Sequence, residues 1–192
     1  DHPEKYSYVK WRVIGILESL YYADERSNRI VPLIPHIVGA LAWVNQCNWC
    51  GAEEALKAFL KNMGEKSTPA LIQAFVSTKS NISSQIVDVL KAQEGKCVPA
   101  LVRTLADKNP ETRANAAYLL NYIHKDAIPA IPALIQSLSD EDTNAKRVAR
   151  VALVSIGKLY RSELEKFLKD KSLPEHIRIE LEKIIEETKS KK

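Results

Sequence analysis

From residue 67 onward the chain alternates short apolar stretches with polar turns, and the alternation returns on itself. After Pro99, the residues Leu101, Val102 and Leu105 mark one face of a short helix. Asp107 to Pro110 then reads as a turn, and beyond it Ala116, Leu120 and Ile123 fall at i, i+4 and i+7, one side of a second helix. Pro110 suits the first position of that helix, because its ring fixes φ near a helical value and its missing N–H has no partner to lose there. The segment PALVRTLADKNPETRANAAYLLNYIHK from Pro99 superposes without a gap on PALIQSLSDEDTNAKRVARVALVSIGK from Pro132. Upstream, PALIQAFVSTKSNISSQIVDVLKAQEG from Pro69 fits the same frame, with Leu71, Phe75, Ile86 and Leu90 at the apolar places. Three units therefore stand in register, and each predicts a pair of helices with one face buried.

The pattern continues in both directions with less regularity. PHIVGALAWV from Pro35 matches a first helix, and Leu56, Leu60 and Met63 before Gly64 match a second, with WVNQCNWCG as a longer connection between them. Before these, Val13, Leu17 and Leu20 occupy second-helix positions without a preceding first helix. At the far end Leu164 to Leu168 and then Ile177, Leu181, Ile184 and Ile185 form a last, degenerate pair. The expected units are a half repeat at 1–26, then 27–66, 67–96, 97–128 and 129–160, and a C-terminal cap at 161–192, all within one domain. The uncovered apolar face of Val13, Leu17 and Leu20 leads to the expectation that the chain begins inside a repeat of a longer protein.

Composition narrows the class. An apolar fraction of 45% can build a core, while six Gly in 192 residues are too few for the many tight turns of a β-sandwich or barrel. The most apolar stretch, Ile30 to Val44, holds Pro32, Pro35 and His36 and is too short to span a bilayer, so no membrane partner is expected. Three Cys cannot make a disulfide framework, which points to a reducing compartment and a cytoplasmic location.

A helix pair of this length, opening with Pro-Ala-Leu, turning at Asp107 or Asp140 and carrying Arg113 or Lys146 early in its second helix, resembles a HEAT repeat. The run ETRANAAYLLNYIHKDAIPAIPALIQSL is most similar to the short HEAT-like repeats of phycobilisome-lyase (E-Z) type. The resemblance implies an all-α fold, a right-handed α-solenoid of about five HEAT-like helix pairs with an incomplete repeat at the N-terminus. It also implies that the second helices line the concave face, and that the Asp and Arg of each turn tie one turn to the next.

Candidate chemistry is sparse. Cys47 and Cys50 at i and i+3 supply half of a tetrahedral zinc site, but no second pair accompanies them, so they are weak metal candidates and no cofactor is expected. The His-Glu pairs of HEAT-type deoxyhypusine hydroxylases are absent, since His2, His36, His124 and His176 precede Pro, Ile, Lys and Ile. The lyase-type resemblance leaves open a role on a bilin chromophore, and HEAT-like alkylation-repair proteins bind DNA. Against nucleic acid, Lys and Arg number 11 against 10 acids up to residue 96 and 17 against 14 after it, so neither half is strongly basic. The more distinctive signal is aromatic. Asn115, Tyr118 and Tyr122 fall at i, i+3 and i+7 on the second helix of the unit from Pro99, off its buried stripe. Together with Asn121, and with Arg147 and Arg150 one repeat later, they form the expected contact surface for a protein or peptide partner. The expected function is a non-enzymatic interaction scaffold.

Overall fold

The computed structural model describes Gly15 and residues 31–39, 50–77 and 83–189. Among these residues every regular element is helical and there is no strand. The half repeat around Val13, Leu17 and Leu20, the aromatic residues Trp11, Tyr21, Tyr22, Trp43 and Trp49, and Cys47 lie outside the described residues. The chain divides into two compact units, Asp1–Gln93 and Glu94–Lys192.

In the first unit a short 3₁₀ turn, Val31–Leu33, leads into helical residues 34–39, where Ile34, Ile37 and Val38 are buried. Helix α1 (Cys50–Met63) buries Leu56, Phe59, Leu60 and Met63. It stops at Gly64, whose φ of 53° is the left-handed conformation that glycine adopts without a Cβ penalty. Helices α2 (Thr68–Ser77) and α3 (Ser83–Ala92) follow; α3 packs on both α1 and α2, and its Ile86, Val87, Val89 and Leu90 are buried. A buried polar network joins the ends of α1 and α3. Gln93 Nε2 donates to the Leu60 carbonyl at 3.0 Å and to Ser67 Oγ at 2.8 Å. The Ser67 hydroxyl is shared between the carbonyls of Leu60 and Gly64, each at 2.9 Å. Carbonyls at the end of α1 that have no intrahelical donor thereby find partners without water.

The second unit comprises α4 (Val98–Thr104), α5 (Pro110–Ile123), a 3₁₀ stretch (His124–Ala130), α6 (Ile131–Gln136), α7 (Thr143–Leu168) and α8 (Glu175–Lys189). Helix α5 packs on α4 and α7, and α7 also receives α6 and α8. Most residues expected on the apolar faces are buried: Leu101, Leu105, Ala116, Leu120 and Ile123, then Leu134, Ala149, Leu153 and Ile156, and at the end Leu164, Ile177, Leu181, Ile184 and Ile185; Val102 here and Phe75 in the first unit are only half-buried.

The turns repeat as faithfully as the faces. Asp107 Oδ1 accepts from Asn109 N at 2.8 Å, and Asp140 Oδ1 accepts from Asp142 N at 2.9 Å. Asp170 makes the same bond to Ser172 N at 2.9 Å, so the degenerate last pair keeps the turn. Asn109 and Asp142 then cap α5 and α7 through Glu111 N and Ala145 N.

Helix ends show a second periodicity. Gly64, Glu94 and His124, evenly spaced along the chain, all have positive φ, of 53°, 52° and 43°. The matching place in the next unit is Gly157, which stays inside α7, so the helix continues to Leu168 with one non-helical residue, Tyr160 (φ −133°, ψ 45°). A Cβ at Gly157 would stand 2.6 Å from Leu164 Cδ1 and 2.8 Å from Thr188 Cγ2. Glycine here serves close packing rather than a turn.

Candidate functional site

The aromatic stripe expected on α5 is a coupled pair. Tyr118 and Tyr122 are one helical turn apart, their ring centroids are 4.9 Å apart with a 55° tilt, and their hydroxyls lie 2.8 Å from each other. The bond to Tyr122, reinforced by partial burial, raises the Tyr118 phenol above its ordinary value. Tyr118 is 39% exposed, while Tyr122 and Asn115 are half-buried. One repeat later Val151 holds the place of Tyr118 and is 42% exposed, so an apolar position stays uncovered on both α5 and α7. Asn121 is half-buried, and its buried Oδ1 has no hydrogen-bond partner among the described residues.

The arginines part company. Arg147 is exposed on α7 and reaches back to Asn144 Oδ1 at 2.8 Å. Arg150 does not join the tyrosines. It takes the place that buried Ala117 has on α5, and its guanidinium faces α8, bonded to Glu180 at 2.7 Å and to both carboxylate oxygens of Glu187. That ion pair holds the Glu187 carboxyl below the usual carboxylate range. Arg150 thus fastens the α7–α8 seam with charge where α5 uses a small apolar contact.

Arg113 performs the tie implied for the repeat. Its guanidinium forks onto both oxygens of Asp140 at 2.7 Å each and also donates to the carbonyls of Asp107 and Lys108, linking one turn to the next. Asp140 is accordingly held below its ordinary value, chiefly by the bonds from Arg113.

No protein-family model and no curated protein matches the chain. The site therefore rests on its own geometry.

Of the three cysteines, Cys47 lies outside the described residues. Cys50 opens α1, and Cys97 is fully buried at the start of α4, where burial pushes its thiol up to about 11. A thiol so raised stays protonated at neutral pH and is a core side chain rather than a nucleophile. Among the described residues no group of three or more His, Cys, Asp or Glu side chains is placed to hold a metal ion.

One feature is not legible in the sequence. Between α1 and α3, within the first unit, lies an open groove of about 410 Å³ with Ala58, Val89 and Ala92 among its lining residues. Its signal is a lack of side-chain bulk: Ala58, two repeats earlier, holds the place of Tyr118, and Ala92, one repeat earlier, holds the place of Tyr122. Small residues on two separate helices do not announce a groove until the helices are packed together.

Proposed function

We propose that this chain is a HEAT-like α-solenoid interaction module of the cytoplasm, non-enzymatic, that binds a protein or peptide partner on the ridge formed by its second helices. The observation that carries this reading is the Tyr118–Tyr122 pair, Tyr118 exposed, with Val151 exposed at the equivalent place on the neighbouring helix. Two rings fixed by their mutual hydrogen bond on a helix packed from both sides lose little side-chain entropy when a partner covers them. Each offers a large apolar area with a polar tip, which is the make-up of residues that dominate interface energies. Asn115, three residues before Tyr118 on the same helix, and the exposed Arg147 on α7 add polar groups, whereas Arg150 is engaged with Glu180 of α8.

The test is affinity capture with the wild-type chain and with Tyr118→Ala, followed by affinity measurement on the captured partner. Binding should weaken by roughly 1 to 2 kcal/mol, as anchor truncations do, while the melting temperature changes little. Undiminished binding with a large loss of stability would show that the rings serve the fold and that the contact surface is elsewhere.

A further inference from the structure

The helices of the tyrosine ridge carry almost one sign of charge. Between Thr143 and Tyr160, α7 holds Lys146, Arg147, Arg150 and Lys158 and no Asp or Glu, and the acid of α5 is Glu111, in its first turn. Other acids border this stretch at its ends: Glu141 and Asp142 before α7, Asp126 after α5 and Glu163 beyond Tyr160. Arg150 is engaged with Glu180 and Glu187 of α8, and Lys146 helps to hold Asp140 below its ordinary value. Arg147 and Lys158 are left. Both are exposed, and neither forms an ion pair among the described residues. Arg147 donates to the neutral Asn144, and Glu187, which feels the charge of Lys158, is bonded to Arg150. Arg147, Val151 and Lys158 fall at i, i+4 and i+11, which a helix of 3.6 residues per turn sets within about 40° of one another. The strip thus runs base, apolar, base, with the two bases about 16 Å apart along the axis at 1.5 Å per residue. Leu159, next to Lys158, is 60% exposed.

We propose that the ridge takes an acidic peptide segment of its partner, with carboxylates at Arg147 and Lys158 and apolar side chains over Val151 and Leu159. This deepens the ridge reading and rests on it for the place of contact. The occupant is acidic because each base stands beside an uncovered apolar side chain. A partner that covers Val151 or Leu159 also covers the neighbouring cation, and only a carboxylate gives that cation a charged hydrogen bond in the dried contact. A basic segment would meet two like charges with no carboxylate between them on the helix. Spacing selects a peptide over a nucleic acid. A single strand carries a charge about every 3.4 Å, so about five phosphates would lie along this span against two bases. An extended peptide covers the same span in about five residues and needs a carboxylate only near each end.

The experiment uses the full chain and a displayed library of short peptides with every position drawn from Asp, Glu, Lys, Arg, Ser, Leu and Phe. The selected pool should carry acids on both sides of an apolar residue. A synthetic peptide from that pool should lose at least about tenfold in affinity against Arg147→Glu and against Lys158→Glu, and recover when one of its acids is changed to Lys, because like charges across an interface are repulsive. Arg147→Gln should give a smaller loss. Lys171→Glu, the same change of charge beyond the end of α7, should cost less than about twofold, because salt screens charges outside the contact. Circular dichroism checks that each variant is folded. A basic or uncharged pool, no selection at all, or equal losses from Lys171→Glu and Lys158→Glu would overturn the proposal. Single-stranded oligo-dT that binds more tightly than every selected peptide, and loses that affinity in Arg147→Glu, would overturn it in favour of nucleic acid. Peptides that need Tyr118 but neither base would overturn it while leaving the ridge reading in place, and peptides indifferent to Tyr118 and to both bases would overturn the two together.

Discussion

The two compact units meet the same requirement, holding one helix pair to the next, with opposite chemistry. In the first the tie is neutral and buried: Gln93 and Ser67 bond the end of α1 to the end of α3 in a place closed to water. In the second it is ionic and part-buried, where Arg113 spans from its own turn to Asp140 and Arg150 reaches from α7 to Glu180 and Glu187. A buried neutral network is costly to break and indifferent to pH and salt, while a partly exposed ion pair is worth less and responds to both. The repeat therefore fixes where neighbouring helices lie and leaves open how they are fastened.

The largest effect expected from this contrast is in the first unit. Gln93→Ala should lower stability by about 3 kcal/mol, since it opens a cavity and strips donors from the Leu60 carbonyl and Ser67. Urea unfolding with hydrogen exchange should place the loss in residues 50–93. A loss confined to residues after 94 would break the comparison. Next, Gly157→Ala should cost about 2 kcal/mol, because its methyl meets Leu164 and Thr188 in a packed seam and that strain outweighs the gain in helix propensity. A neutral result would show that Leu164 and Thr188 have room to move.

The ionic tie should be weaker. Arg113→Ala is expected to cost about 1 kcal/mol, with salt reducing the difference from wild type. Its pH dependence follows from Asp140, whose folded value is depressed by Arg113. A depressed carboxylate contributes fully above its unfolded value, and the contribution is lost as pH falls through the folded one. Asp140→Asn should therefore flatten the acid limb of the stability profile below about pH 4, where free carboxylates titrate. A limb of unchanged slope would remove Asp140 as its source. The smallest effect has the opposite sign. His124 adopts φ 43° and ψ −104°, a region suited to glycine, so His124→Gly should raise stability by roughly 0.5 to 1 kcal/mol in thermal melts.

Much of this fold can be read from the chain. The spacing of Ala116, Leu120 and Ile123 and its return at Ala149, Leu153 and Ile156 marks faces that are buried as expected. Asp107, Asp140 and Arg113 can be read as a tie because their spacing repeats with the helices. Gln93 cannot, since an amide at a core position looks like an interruption until its partners, distant in sequence at Leu60 and Ser67, are in view. Arg150 reads as a companion of the tyrosines because it follows them by about one repeat. One residue of helical rotation from Val151 instead turns it toward α8, and residue spacing alone does not say which carboxylates wait there. The groove at Ala58 and Ala92 is silent for a similar reason, since bulk that is missing leaves no pattern.

The spacing between units changes once among the aligned repeats, for Pro132 follows Pro99 at a slightly greater distance than Pro99 follows Pro69, and the 3₁₀ stretch His124–Ala130 takes up the difference. Added length there leaves the register of the buried faces on α5 and α7 intact, because it falls between the end of one helix pair and the start of the next. For a lineage this means that insertions and deletions can be tried at the seam between repeats while both neighbours keep their cores. New loops, and with them new contacts, can arise there at little risk to the fold.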